Sequence, residues 1–175
     1  MSSIINPSIL WLTGLSGSGK TTLALKLKER FLSQGVLAVI LDGDVVRTGL
    51  CKDLGFSDQD RSENVRRLGE VAKLFLSNDI IPICALISPL EKQRAIVRTI
   101  ANDVSFFEIY VKCSIEGCIK RDPKGLYKRA MTGEIKEFTG ISSIYEIPEK
   151  PDIIIDTELF GIDQCVNLIL EKLRR

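Results

Sequence analysis

The stretch Gly14-Leu15-Ser16-Gly17-Ser18-Gly19-Lys20-Thr21 has the spacing G-x-x-x-x-G-K-[ST]. Glycines at these positions let successive backbone N–H groups curl around an anion, and the lysine adds a mobile positive charge. Lys20 is placed to reach the β- and γ-phosphates of ATP; the Thr21 hydroxyl, followed by Thr22, is placed to ligate Mg²⁺. The bare pattern arises by chance, so its meaning depends on a strand before it and a helix after it. Ile9–Thr13 reads as that strand, and Leu23, Leu27 and Phe31 form one stripe of the helix. There is no N-K-x-D segment of the kind that reads guanine in switch GTPases.

Further along lie groups suited to the other half of a phosphoryl transfer. Asp42-Gly43-Asp44 closes a second strand, at the edge where neighbouring strands of a doubly wound sheet meet a shared crevice. Asp44 is the candidate contact to an acceptor hydroxyl and Asp42 the candidate for the water shell of the metal. A strand-end turn with two solvated aspartates is the competing reading of D-G. Arg47, Phe56, Arg61 and Asn64 follow; Arg61 and Asn64 are one helical turn apart and lead along the same face to Leu68. Guanidinium forks suit phosphate or sulfate, and a phenylalanine suits a base. The alternative is a solvated first turn, with Arg61 paired to a nearby acid.

These residues need a scaffold, and the apolar pattern supplies one. Strand-length apolar runs at 37–41, 80–87, 106–111 and 152–155 alternate with helical patterns. That alternation predicts an α/β fold, a three-layer αβα P-loop architecture with a mainly parallel five-stranded sheet. Gly35 is placed to stop the first helix. A long helix over 58–76 opens at Ser57, which stands at capping-box spacing from Asp60, and carries Val65, Leu68, Ala72 and Phe75 as its buried stripe. Helices over 90–100 and 115–120 and a last one bearing Val166, Ile169, Leu170 and Leu173 complete the set. Between 121 and 150 the periodicity breaks into glycines, prolines and charges, which predicts a functional lid segment. All 175 residues read as one domain.

Composition narrows the classes. A net charge of +1 without blocks of like charge argues against a general nucleic-acid or membrane-surface binder, so anion recognition must be local. The chain has no histidine, which removes imidazole from any mechanism, and its five cysteines form no C-x-x-C pair. Reduced cysteines in a cytosolic protein are the expectation. No apolar run approaches the length of a membrane span, and no signal-like segment is visible.

Six segments together make a resemblance: WLTGLSGSGKTT at 11–22, LDGDVVRTGL at 41–50, DLGFSDQDRSENVRR at 53–67, ISP at 87–89, RDPKGLYKRA at 121–130 and GEIKEFTGI at 133–141. The chain resembles adenylylsulfate (APS) kinases, which phosphorylate the 3′-hydroxyl of adenosine 5′-phosphosulfate to give PAPS. The resemblance implies that Arg47, Arg61 and Asn64 bind the phosphosulfate nucleotide and that Phe56 and Phe138 sandwich its adenine. It implies that Ile87 and Ser88 line the pocket, that Lys124 and Arg121 meet substrate or ATP phosphates, and that the enzyme is a homodimer. Ser88 has been assigned a phosphoserine role in the family; no base adjoins it in sequence, and a substrate contact is the competing role. Three departures stand out: Val45 where many members have asparagine, Cys51 in place of an asparagine, and Glu137 in place of a glycine. A kinase of another small acceptor and a non-catalytic PAPS-binding module are the alternatives. The first is expected to lack the DLGFS and FTG blocks, and the second can dispense with Lys20, Thr21 and the aspartates.

Overall fold

The structure is a computed structural model and describes residues 7–102 and 104–174. Five strands form one parallel sheet in the order β2-β3-β1-β4-β5. These are β1 (Ile9–Thr13), β2 (Ala38–Asp42), β3 (Ile81–Ala85), β4 (Phe106–Lys112) and β5 (Ile153–Asp156). Among the described residues six helices lie between strands, α1 (Lys20–Leu32), α2 (Gly43–Val46), α3 (Asp58–Leu76), α4 (Glu91–Ile100), α5 (Ile115–Arg121) and α6 (Leu126–Met131), and α7 (Ile162–Leu173) follows the last. The central strands β1 and β3 are buried at every residue, as parallel strands covered on both faces must be.

Period-two alternation divides β1 between two cores. Leu10 and Leu12 point into one with Leu23, Leu27 and Phe31 of α1 and Val166, Ile169 and Leu170 of α7. Ile9 and Trp11 point into the other with Val65, Leu68 and Ala72 of α3 and Val97 of α4. The expected αβα layers are therefore present. Cys51, one of the departures from the family pattern, is fully buried in the second core and acts there as a small hydrophobe. All five cysteines are free and buried.

Several boundaries differ from the sequence reading. The buried stripe of α3 ends on Leu76, with Phe75 only partly buried, because Leu76 continues the four-residue step from Ala72. The cap at Ser57 forms, its hydroxyl accepting from Asp60 N at 3.2 Å. Asp60 answers through that hydroxyl, which donates to Oδ2 at 2.7 Å. The D-G-D segment is neither a turn nor a strand end alone: Asp42 is the N-cap of α2, its Oδ1 accepting from Asp44 N at 2.9 Å.

As expected, no named strand falls within 121–150, yet the segment has local order that its pattern did not reveal. This segment holds α6 and a bridge between Thr139 and Ser143, and its Tyr127, Ala130 and Phe138 form a small core together with Cys113 and Cys118. A six-residue helix spans less than two turns and leaves no readable period. Its start is held by Asp122, whose carboxylate accepts from Tyr127 N and Lys128 N, each at 3.1 Å. The Tyr127 hydroxyl then donates to Ser16 O at 2.9 Å, tying the lid to the loop after β1.

Candidate active site

The loop after β1 needs its glycines for two physical reasons. A Cβ on Gly14 would lie 2.5 Å from Val111 O, and Gly19, at φ 103°, takes a left-handed turn that other residues resist. Gly19 is also the N-cap of α1 and carries no side chain to satisfy the first-turn N–H groups, which leaves them to an anion. Lys20 opens the helix and is only 8% exposed. Its ammonium donates to Gly14 O at 2.9 Å and Leu15 O at 2.7 Å. Burial pushes its pKa down to about 8, against the pull of Asp44 and Asp42. Thr21 Oγ1 donates to Asp42 Oδ2 at 2.7 Å, so the two expected metal-site residues do meet.

Opposite the loop stands a wall built by α2, α3 and the segment between them. Asp44 is paired with Lys124 from the lid. Arg47 donates to Gly55 O at 2.7 Å and lies 4.5 Å over the Phe56 ring. Arg61 donates from Nε to Phe56 O at 2.8 Å and from Nη2 to Glu137 O of the lid at 2.9 Å. Phe56, 58% exposed, is thus flanked by two guanidinium groups at the mouth of the cleft. Arg67 anchors this segment to α3 with a bidentate pair to Asp53, both contacts at 2.7 Å, and a hydrogen bond to Leu50 O at 3.0 Å. Hydrogen bonds from Arg66 and Arg67 hold the Glu63 carboxyl down to about 2.

Loop and wall face each other across one cleft of about 620 Å³. Ser16, Gly17, Gly19, Lys20, Thr21 and Thr22 line its donor side, with Arg121. Asp42, Asp44, Arg47, Phe56, Arg61, Asn64, Ile87, Ser88 and Lys124 line the rest. Four expected residues stand outside that lining. Gly14 and Leu15 contribute carbonyls to Lys20, and Ser18 contributes its carbonyl to Thr157 at 2.9 Å. Phe138 is 8% exposed and packs edge-on to Tyr127, centroids 4.9 Å apart, so in this structure it is a core residue of the lid and no partner for Phe56. It packs there with Tyr127 and Ala130, against the partly buried Leu15, Ile115, Ile119, Leu126 and Ile135.

Ser88 is held on both sides. Its hydroxyl accepts from Trp11 Nε1 at 3.2 Å, its carbonyl accepts from Arg94 Nη1 at 2.9 Å, and its φ of 36° is unusual for a residue with a side chain. Arg94 was not read from the sequence, yet it organises this corner. Only 1% exposed, it lies 3.1 Å from Oε1 of the buried Glu108, and Arg98 holds Oε2 at the same distance. Burial pushes the Glu108 carboxyl up, against the pull of the two arginines. An acid inside an otherwise apolar strand was the available signal that a buried cation must face it. Thr157 and Phe160, which line the donor end, were also missed; they belong to the short loop after β5, where the pattern carries no period. Arg121 reaches that loop, donating to Thr157 Oγ1 at 2.9 Å and Thr157 O at 2.6 Å.

A phosphate loop between the central strand and its helix, in a parallel sheet of this order, defines the P-loop kinase class. A gluconokinase from Sinorhizobium meliloti superposes with a TM-score of 0.62 over 97% of the chain; at 15% identity it shows the fold alone. Within the class the chain belongs to the adenylylsulphate kinase family, whose profile matches residues 6–156. An adenylyl-sulfate kinase of Bacillus licheniformis is 52% identical over 95% of this chain and 85% of its own length. One from Prochlorococcus marinus is 53% identical over 94% and 82%. The APS kinase of Mycobacterium tuberculosis, solved with AMPPNP and APS, superposes with a TM-score of 0.94 at 40% identity, covering 98% of this chain and all of that one. Among the described residues no helix is long and apolar enough to cross a membrane.

Proposed function

We propose that this chain transfers the γ-phosphoryl group of ATP to the 3′-hydroxyl of adenosine 5′-phosphosulfate, giving PAPS and ADP. The observation that carries this reading is the single cleft in which the phosphate loop faces Asp44, Arg47, Arg61 and Asn64. The loop N–H groups and the start of α1 hold the donor phosphates, and Lys20 leaves its own loop carbonyls to meet them. Phe56 offers a face to the acceptor adenine, while Arg47 and Arg61 offer charge-assisted donors to the phosphosulfate. Asp44 accepts the proton of the 3′-hydroxyl as the phosphoryl group moves in line. Because that transition state is loose, positioning and charge matter more than a strong base. Lys124, paired with Asp44 in this structure, is close enough to meet the acceptor or transferring phosphate.

The hard oxygen donors Thr21 Oγ1 and an Asp42 carboxylate, already in contact, fit Mg²⁺. Bound there, the ion would neutralise charge building on the phosphate oxygens. We assign Ser88 to substrate positioning. Its hydroxyl accepts from Trp11 Nε1, and among the described residues no base is hydrogen-bonded to it, which suits a contact and not a covalent carrier. A regulatory role without catalysis would not need Lys20, Thr21, Asp42 and Asp44 together, and all four line the cleft. For the whole molecule we propose a cytosolic homodimer. Exposed Ile144, Ile147 and Leu159, which share a second depression beside the lid, support a further contact surface.

The deciding experiment is an ADP-release assay with APS, AMP, shikimate and gluconate as alternative acceptors. Mg²⁺-dependent turnover with APS and none with the others is expected. No turnover with APS ends the reading.

A further inference from the structure

The run Ile87-Ser88-Pro89 lies between β3 and α4 and forms part of the acceptor wall of the cleft. Each of its three carbonyls accepts a hydrogen bond from a different part of the chain. Ile87 O accepts from Thr13 Oγ1, at the end of β1, at 2.7 Å. Pro89 O accepts from Glu146 N at 2.8 Å, beyond the lid's helix. Between them, Ser88 O accepts from Arg94 Nη1, in the first turn of α4, at 2.9 Å. Thr13, Arg94 and Glu146 are not among the residues lining the cleft, so the carbonyls are engaged behind its wall.

Of the three donors only Arg94 is charged, and a charge-assisted hydrogen bond is the strong kind. It acts where the backbone is strained, since Ser88 holds a left-handed φ of 36°. The Ser88 hydroxyl is held separately, by Trp11 Nε1 at 3.2 Å, so Arg94 governs the backbone and not the side chain. The aim of its guanidinium is fixed by two acids. Nη2 donates to Glu91 Oε2 at 2.6 Å and Nε lies 3.1 Å from Oε1 of the buried Glu108, which leaves Nη1 for Ser88.

Resting on the reading of this cleft as the APS site, we infer that Arg94 is a positioning residue for the acceptor's anionic group, acting through the Ser88 carbonyl that it draws behind the wall. A carbonyl oxygen carries partial negative charge, and turned into the cleft it would repel the anion that Arg47 and Arg61 attract. Without Arg94, Ser88 can leave its left-handed backbone by rotating the adjoining peptide. That rotation brings the oxygen toward the phosphosulfate and leaves the distant ATP loop untouched.

The test compares Arg94→Gln with Glu108→Gln in the full chain. Arg94→Gln is expected to raise the KM for APS about tenfold while kcat and the KM for ATP stay within about twofold. Glu108→Gln weakens the buried ion pair but leaves the guanidinium on Ser88 O. It should lower Tm and keep the KM for APS within about twofold. An unchanged KM for APS in Arg94→Gln, equal rises for both substrates, or the same rise in Glu108→Gln each overturns the inference. Should Arg94→Gln fail to fold, Arg94→Met/Glu108→Met removes both charges of the pair together and carries the same kinetic expectation. A crystal structure of the variant with a raised KM is expected to show Ser88 at negative φ; an unchanged corner overturns the mechanism. Failure of the wild-type enzyme to turn over APS strikes the functional reading itself, and is distinguishable from wild-type turnover with a silent Arg94→Gln.

Discussion

Asp44 and Lys20 show how much depends on single side chains. Asp44 is exposed, paired with Lys124, and lies across the cleft from the donor loop. Asp44→Ala should lower kcat by about 10²–10⁴, the usual worth of a positioned acid or base, with ATP binding nearly unchanged. Turnover close to wild type would remove Asp44 from the chemistry. For Lys20 the sign follows from its pKa of about 8, lowered by burial. Below that pH the ammonium is present and ready for the phosphates. Above it the free enzyme is increasingly neutral, so binding ATP must take up a proton and apparent affinity should fall by up to about tenfold per pH unit. Calorimetric titration with ATP between about pH 7.5 and 9.5, in two buffers of different ionisation enthalpy, reads both the fall and the proton uptake. A flat affinity with no proton uptake would contradict the buried, neutralising lysine.

At the scale of elements, the first turn of α3 and the lid meet through one arginine. Arg61 links Phe56 O to Glu137 O and stands in the acceptor half of the cleft. Arg61→Ala should raise the KM for APS by about tenfold or more, the loss of a charge-assisted donor, and leave the KM for ATP within about twofold. Equal effects on the two substrates would move Arg61 out of the acceptor site. Glu137 itself stands where the family resemblance leads one to expect glycine, and its φ is 46°. That left-handed backbone strains a residue with a Cβ. Its side chain is exposed, and the group Arg61 uses is the backbone carbonyl, which glycine keeps. Glu137→Gly should therefore stabilise the protein by about 1 kcal/mol, less than the full relief because glycine gains freedom in the unfolded chain. A rise in Tm of about 2–4 °C is the expected reading by calorimetry, and a fall would show that the turn is not strained.

For the molecule as a whole, much was legible in the amino-acid order. Alternating apolar runs reveal a parallel α/β sheet because strands buried on both faces must be nearly all apolar, as β1 is up to Thr13 and β3 throughout. The phosphate loop is legible because its chemistry needs glycines and a lysine contiguous in the chain. Arg61 and Asn64 share a helix face by spacing alone. What only the tertiary structure decided are pairings between segments far apart in sequence. Lys124 meets Asp44, Tyr127 ties the 121–150 segment to Ser16, and Arg94 grips the Ser88 carbonyl. No local pattern encodes such contacts, since they follow from how α3, α4 and the lid dock on the sheet. Phe138 makes the point most plainly: a resemblance assigns it to a stacked base, while in this structure it packs with Tyr127 and Ala130 in a small core.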